Sequence, residues 1–211
     1  MSAFTPAPFA VKPIVLSGTR VRLEPLTQGH AVALYEATRP QAEVVFRWHP
    51  KHIDSQAACK AWIDAALLEQ ASGTSLPFAT IEIASGKAIG SSRLFNIDQA
   101  HLRAEIGYTW LGVPWQRTGL NRETKYLLMC HAFETWHLRR VEFKTHSLNV
   151  QSRTALLKLG ASEEGTLRRH MIMSDGSARD SVYFSILDSE WPTVKAKLES
   201  GGAAFVHQID T

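Results

Sequence analysis

The sequence VPWQRTGLNRETKYLLMCHAFE, residues 113–134, decides how the whole chain is interpreted. It places a short polar loop, residues 116–119, directly before a stretch with helical periodicity, which predicts a helix over about 121–137. Apolar side chains recur in that stretch at offsets of 0, 3, 4 and 7, namely Met129, Ala132, Phe133 and Trp136. One face of the helix is therefore expected to pack on a sheet, which would hold its N-terminus in place.

A helix N-terminus held in place in this way is suited to an anion. It presents N–H groups that have no partner within the helix, at the positive end of the helix dipole, and Gly119 just ahead of it would let a phosphate approach the backbone. The alternative is that Gly119 only makes a turn, because a pattern as short as QxxGxN arises easily. Neither the GxxxxGK[ST] nor the GxGxxG pattern occurs in the sequence, which argues against the common nucleotide-binding loops.

Composition limits the class of protein. The chain has 211 residues, of which 45% are hydrophobic and 20% charged, enough to bury the core of one large domain. A net charge of +3 is too small to predict a nucleic-acid partner. No run of about 18 apolar residues occurs, so no membrane span is expected. Two cysteines, Cys59 and Cys130, do not make a disulfide framework, which favours a reducing, cytoplasmic location.

A metal site is not expected, although the chain has nine histidines. No HExxH motif is present, and His49 with His52 has no carboxylate or cysteine companion at ligand spacing.

Outward from the loop, the elements alternate in an α+β order. The second predicted helix is capped by Asp54 or Ser55 and turns Ala58, Trp62 and Ala65 to one face. One β-α-β segment lies inside an otherwise antiparallel run. In chain order we predict strand 20–26, helix 27–38, helix 55–72, strands 77–84, 88–97 and 103–112, helix 121–137, strand 141–145, helix 150–159, and strands 166–173 and 180–187.

The ends of the chain are expected to lie outside this unit. Three prolines interrupt the first thirteen residues, so residues 1–13 are predicted to be a loose N-terminal tail. Residues 14–192 are predicted to form a single domain, and residues 193–211 a C-terminal extension.

The order and spacing of these features resemble a known family. About thirty residues after the loop, Asn149 and Ser152 lie at the start of the next helix in the pattern NxxS. A strand, an anion-binding loop, a helix, a second strand and NxxS resemble the GNAT superfamily of acetyltransferases, and more specifically its ribosomal-protein N-acetyltransferase branch, which is RimJ/RimL-like. The closing GTLRRHMIMSDGSARDSVYFSILDSEW, residues 165–191, resembles the same branch. The resemblance implies a GNAT fold, in which helices flank a mixed, mostly antiparallel sheet and a central β-α-β segment binds the cofactor.

The resemblance also implies a ligand, acetyl-CoA, as the acetyl donor. The backbone of the loop would bind the pyrophosphate, and the end of the preceding strand would lie along the pantetheine arm. Asn121 departs from the glycine or alanine of the usual pattern, and we interpret it as a variant that can cap the helix. The implied cofactor-binding residues are Trp110, Leu111, Val113, Gln116, Arg117, Thr118, Gly119, Leu120, Asn121, Asn149 and Ser152.

Acyl transfer to an amine needs a neutral amine, a site for the oxyanion and a proton for the departing thiolate. Glu105 is the candidate base, because strand alternation directs it to the face opposite four apolar neighbours. A solvated or salt-bridged glutamate is the alternative. For the oxyanion, the resemblance implies a backbone N–H near Trp110 or Leu111. The four neighbours predicted to share one face are Ala104, Ile106, Tyr108 and Trp110.

The proton donor is harder to assign. Many GNAT enzymes carry a tyrosine seven residues after the asparagine, where this chain has Leu156. Ser152 matches the serine of NxxS and could hydrogen-bond or protonate the thiolate, or it could serve only the first turn of its helix. Asn149 could contact the cofactor, cap the helix, or do both. Cys130 has no evident base nearby, so we expect direct attack without an acyl-enzyme.

The acceptor leaves three hypotheses open. Trp48, in FRWHPKHI (46–53), would lie near the acceptor cleft with Glu105 by resemblance, or would belong to the core. The first hypothesis is an acetyl-CoA-dependent N-acetyltransferase of a protein or peptide amine, such as a protein N-terminus. The second is the same chemistry on a small-molecule amine, and the third is a CoA-binding module without catalysis. A homodimer is compatible with each.

Overall fold

The computed structural model describes residues 9–200 and the backbone of residues 208–210. Within these residues nine strands form one sheet. They are β1 Val15–Ser17, β2 Val21–Pro25, β3 Ser75–Glu82, β4 Lys87–Asp98, β5 Arg103–Leu111, β6 Arg140–His146, β7 Ser162–Ile172, β8 Ala178–Leu187 and β9 Gln208–Asp210. Each strand predicted from the sequence is present, with ends that differ by a few residues. The short outer strands β1 and β9 were not predicted.

The sheet is mixed and mostly antiparallel. Its order is β7-β8-β6-β5-β4-β3-β2-β1-β9, and β5 with β6 is the parallel pair among the described strands. A parallel pair requires a crossover connection, which the helix between these strands provides. The α+β class and the single β-α-β segment are confirmed.

Six α-helices are described, and four of them were predicted. They are α1 Ala31–Thr38, α2 Ala42–Phe46, α3 Gln56–Ala71, α4 Leu120–Cys130, α5 Val150–Leu159 and α6 Trp191–Ser200. The helix predicted over 121–137 is α-helical only to Cys130 and continues as a π-helical turn, His131–Thr135. The unpredicted α6 begins at Trp191, across the boundary drawn at residue 192 between domain and extension.

The apolar face expected for residues 121–137 packs into the core as predicted, because Met129 in α4 and Ala132, Phe133 and Trp136 after it are all buried. The predicted face of α3 is wrong by one residue. Ser55 caps α3 as expected, accepting a hydrogen bond from the backbone N–H of Ala58 at 3.1 Å. The helix then buries Cys59, Ile63 and Ala66, while Ala65 is exposed. A face shifted by one position is a rotation of about 100° around a helix, too small for a short apolar pattern to resolve.

The predicted alternation along β5 is also wrong, and the cause is a β-bulge. Arg93 pairs with Gly107, but Ser91 pairs with Trp110, so β5 has one residue more than β4 between these pairs. Tyr108 in this bulge has a left-handed φ of 49°. Before the bulge Ile106 packs into the core cluster that contains α4, whereas after it Trp110 packs into the cluster on the other face. An extra residue exchanges the faces of the strand beyond it.

The two ends of the described chain pack on the domain. Phe9 stacks on Trp136 with ring centroids 4.7 Å apart, and β9 pairs with β1. Residues 1–8 of the predicted tail lie outside the described residues. No helix in the described part of the chain is long and apolar enough to cross a membrane.

Candidate functional site

The candidate site is a cleft between β5 and β6. The two strands pair over only three residue pairs, which end at Glu105 opposite Glu142. Beyond this point the strands diverge around a cleft of about 400 Å³. The edge of β5 that faces the cleft has no β6 partner there, so its backbone N–H and C=O groups can bind an extended ligand.

The loop before α4 closes one end of the cleft. Gly119 is the N-cap residue of α4 and has a φ of 92°, a left-handed conformation that favours glycine. Gln116 Nε2 donates to the Leu111 carbonyl at 2.9 Å, which ties the loop to β5. Arg20, the residue before β2, donates through Nη1 to the Thr118 carbonyl at 3.0 Å. The N-terminus of α4 is therefore held in place by contacts from two other segments of the chain, as an anion site requires.

Asn121 does not cap α4, contrary to our interpretation of the sequence. It lies inside the first turn, after the N-cap, and its Oδ1 accepts a hydrogen bond from Lys125 Nζ at 2.9 Å. Both residues line the cleft. Burial lowers the pKa of Lys125 to about 8, so this lysine is largely a cation at pH 7 and stands one helical turn from the loop.

Asn149 and Ser152 meet at the start of α5, on the wall of the cleft. Asn149 Oδ1 accepts from the backbone N–H of Ser152 at 3.0 Å, which makes Asn149 the helix cap. The bond uses only the backbone of Ser152. Its hydroxyl group is therefore not needed for the cap.

Glu105 lies where β5 and β6 separate, and 2% of its surface is exposed to solvent. Burial raises the pKa of its carboxyl group, while the charge of Lys144 and a hydrogen bond from Asn96 lower it. Asn96 Nδ2 donates to Glu105 Oε2 at 3.1 Å, and Lys144 Nζ is 3.5 Å from the same atom. Because of the bulge, Trp110 lies on the same face of β5 as Glu105, whereas the predicted alternation put the two residues on opposite faces.

Trp48 is part of the cleft wall and belongs to neither core cluster. Its ring lies 4.8 Å from that of His146. Arg179 Nη1 donates to its carbonyl at 3.2 Å. The neighbouring His49 also lines the cleft, and burial, Arg179 and His52 together lower its pKa to about 4. At pH 7 the imidazole of His49 is neutral.

Most of the predicted site residues are brought together by the fold, and four are not. Nine of them line the cleft: Trp48, Glu105, Trp110, Leu111, Gln116, Arg117, Asn121, Asn149 and Ser152. The four that do not are Val113, Thr118, Gly119 and Leu120. Leu120 is a buried core residue, and the Thr118 side chain donates to the Trp115 carbonyl at 2.7 Å, away from any ligand.

Sequence reasoning missed four cationic residues of the cleft, which are Arg47, Lys125, Lys144 and Arg179. Lys125 was within reach, because it lies four residues after Asn121 and therefore on the same helix face. Lys144 follows Phe143 on β6, and no residue near it in the sequence indicates that it contacts Glu105. Arg179 had no signal, since its contact with Trp48 joins residues 131 apart in the chain.

Other reactive groups lie outside the cleft. Cys59 and Cys130 are both fully buried, and burial raises their pKa to about 11 and about 12. No group of three or more histidine, cysteine or carboxylate side chains in residues 9–200 is arranged to hold a metal ion.

Comparisons with known proteins agree with this architecture. A family model described as "Acetyltransferase (GNAT) domain" matches residues 20–162. The crystal structure of a GCN5-related N-acetyltransferase from Brucella melitensis is 35% identical, covers 95% of this chain and 90% of that chain, and superposes with a TM-score of 0.86.

Two further proteins are similar to this chain. "Putative ribosomal N-acetyltransferase YdaF" of Bacillus subtilis (strain 168) is 34% identical over 106 residues, 50% of this chain and 57% of that protein. The chain spans little more than half the length of the first curated relatives it matches. Mycobacterium smegmatis RimJ in complex with CoA-disulfide covers 92% of this chain and 97% of that chain with a TM-score of 0.81. At 23% identity this likeness shows the fold alone.

Proposed function

This chain belongs to the GNAT acetyltransferase family, and we propose that it transfers the acetyl group of acetyl-CoA to a primary amine of a protein or peptide by direct attack. One observation carries the proposal. A single cleft is lined by residues next to the N-terminus of α4, Arg117 and Asn121, and by a buried carboxylate, Glu105. These are the two groups that a phosphate-bearing acyl donor and an amine acceptor require.

The cofactor would lie along the unpaired edge of β5. Its pyrophosphate would accept hydrogen bonds from backbone N–H groups at the start of α4, close to the Arg117 and Lys125 side chains. The pantetheine amides would pair with the backbone around Trp110 and Leu111, as an added strand pairs with a sheet edge. The complex of Mycobacterium smegmatis RimJ with CoA-disulfide supports a CoA ligand for this fold.

Glu105 would prepare the amine for attack. A carboxyl group whose pKa is raised by burial is a stronger base than an exposed glutamate, and the nearby Lys144 ammonium group favours its ionised form. It would accept a proton as the amine nitrogen bonds to the thioester carbon. Backbone N–H groups of β5 would stabilise the oxyanion.

The C–S bond would then break, and the thiolate would leave with a hydrogen bond from the Ser152 hydroxyl group. That hydroxyl group has no role in capping α5. An acyl-enzyme on cysteine is disfavoured because both thiols are buried and their raised pKa values keep them protonated.

A protein or peptide acceptor is favoured over a small amine by the ribosomal N-acetyltransferase named among the relatives. The same cleft could acetylate a small amine, and that remains the second candidate. A non-catalytic CoA-binding module is the third, but it gives no reason to bury Glu105 at the end of the cleft. A cytoplasmic location and a homodimer remain predictions from the sequence.

The test is release of free thiol from acetyl-CoA against two acceptor pools, short peptides with varied N-termini and small amines. We expect the peptide pool to accelerate release in the wild type and Glu105→Gln to abolish the acceleration. Acceleration by the small amines alone would select the second candidate. Cofactor binding without any turnover would select the binding module, and a competent acetyl-cysteine found by mass spectrometry would overturn direct attack.

A further inference from the structure

Arg179, on β8, is a largely buried cation that lines the cleft. The residue is 5% exposed, yet it forms no ion pair with a carboxylate in the described part of the chain. Its Nε donates to Ser181 Oγ at 3.1 Å and its Nη1 donates to the Trp48 carbonyl at 3.2 Å. The remaining guanidinium donors have no partner among these residues. Burial lowers the pKa of Arg179 and the charge of Glu105 offsets this only in part, so an anion on the free guanidinium donors would stabilise the cation further.

The position of Arg179 separates it from the cofactor loop. It lines the cleft from β8, and the sheet order β8-β6-β5 puts the cleft opening between it and the strand that leads into the loop. Its hydrogen-bond partners are the Trp48 carbonyl and the Ser181 hydroxyl group, not residues of the loop. A ligand held by Arg179 would therefore approach from the acceptor side of the cleft.

The charge of the cleft wall favours an acceptor with a negative group. Glu105 is the only carboxylate among the described residues that line it. Lys144 Nζ lies 3.5 Å from Glu105 Oε2, and the charge of Glu105 also favours the Arg179 cation. His49 and His146 stand close enough that Arg179 disfavours their protonation. An acceptor that carried only positive charge would meet one carboxylate and several cations.

We propose that Arg179 determines acceptor specificity by binding a carboxylate of the acceptor while Glu105 receives its amine. The preferred acceptor then carries a carboxylate a short distance from the reacting amine. This inference rests on the proposed function and adds the substrate class. The carboxylate comes either from an acidic side chain at the N-terminus of a peptide or from a free α-amino acid. Arginine suits this role because its planar fork binds a carboxylate through two parallel hydrogen bonds.

The test compares acceptors that differ only in that carboxylate, using thiol release from saturating acetyl-CoA. Peptides beginning with Asp are paired with the same peptides beginning with Asn, and free amino acids are paired with their amides. We expect the wild type to prefer the carboxylate member by tenfold or more in kcat/KM. Arg179→Gln should lower kcat/KM for that member by about 10- to 100-fold, as the loss of a charged hydrogen bond does, and change it less than about threefold for the neutral member. The KM for acetyl-CoA should not change.

Two further variants separate specificity from structure. Arg179→Lys keeps the charge without the fork and should retain part of the preference. Arg168→Gln removes an exposed arginine from the neighbouring strand β7 and should leave the preference intact. The midpoint of thermal unfolding of each variant, measured by circular dichroism, shows whether losing the contact with the Trp48 carbonyl destabilises the protein.

The outcomes exclude one another. A preference within the Asp and Asn peptides identifies a peptide acceptor, and one confined to free amino acids identifies a small acceptor. A wild type that is active but indifferent to the carboxylate contradicts the inference and leaves the proposed function standing. Equal losses for both members of each pair mean that Arg179 is structural, and a raised KM for acetyl-CoA means that it binds the cofactor; either result overturns the inference. No activity with any acceptor contradicts the proposed function, and the inference with it.

Discussion

The two halves of the cleft are built in different ways. The half formed by the end of β5 and the start of α4 is a backbone site, in which most side chains turn away or hold the loop in place. The half formed by Glu105, Lys144, Trp48 and Arg179 is a side-chain site, assembled from β5, β6, β8 and the segment between α2 and α3. A backbone site tolerates most substitutions except those that change its conformation. A side-chain site depends on each group, so single substitutions there should have the larger effect on rate.

Glu105→Gln should give the largest effect. We expect kcat to fall by about 10²- to 10⁴-fold, because the amide cannot accept a proton, while the KM for acetyl-CoA stays constant. Steady-state kinetics with both substrates varied measures this. The matched control is Glu142→Gln, which changes the residue that pairs with Glu105 on β6 but is already engaged by Arg140 at 2.7 Å. If the control loses as much activity as the variant, Glu105 has no special role.

The pH dependence of kcat/KM should also identify Glu105 as the base. Burial raises the pKa of Glu105 above its ordinary value, and only the ionised carboxylate accepts a proton. The value of kcat/KM should therefore fall as the pH decreases through that raised pKa. This acid limb should be absent in Glu105→Gln, and its persistence there would assign the titration to another group.

Gly119→Ala should affect the backbone half. The φ of 92° costs a residue with a Cβ atom about 1–2 kcal/mol, and the resulting shift of the loop should raise the KM for acetyl-CoA on the order of tenfold. The kcat at saturating cofactor should change little. Gly176→Ala is the control, since Gly176 has a φ of 80° in the β7–β8 turn, remote from the loop. A loss of stability without a change in KM would mean that the loop does not bind the cofactor.

Lys125→Met should weaken the binding of acetyl-CoA less than Gly119→Ala does. Lys125 is protonated below about pH 8, so its attraction for the cofactor phosphates should weaken as the pH rises through 8. We expect the variant to bind acetyl-CoA about fivefold more weakly at pH 7 and to lose that pH dependence. Titration calorimetry at several pH values between 7 and 9 measures both. An unchanged pH profile would show that Lys125 does not contact the phosphates.

Ser152→Ala should have the smallest effect, about threefold in kcat, because a thiolate is already a good leaving group. The Asn149 cap should survive, since it uses the backbone N–H of Ser152. Asn149→Ala should instead lower the free energy of unfolding by about 1 kcal/mol through loss of the cap. Equal thermal destabilisation of the two variants would show that the serine hydroxyl group has a structural role.

The fold class and the backbone half of the cleft follow from patterns that are visible in the sequence. The loop, the apolar face of α4, the NxxS start of α5 and the strand order are local patterns, set by residues at most one helical turn or one strand apart. The family resemblance depends on the same local features. This is why the α+β class, the β-α-β segment and nine residues that line the cleft could be predicted from the sequence.

The arrangement of the side-chain half depends on contacts between segments that are distant in the sequence. The bulge at Tyr108 reverses the faces of β5, and no feature of AEIGYTW indicates an extra residue, because a bulge is defined by the partner strand. The contact between Arg179 and Trp48 spans 131 residues, and the lysine beside Glu105 comes from a different strand. Local patterns report which residues can form an element, whereas charge partners and strand register are fixed when distant segments pack together.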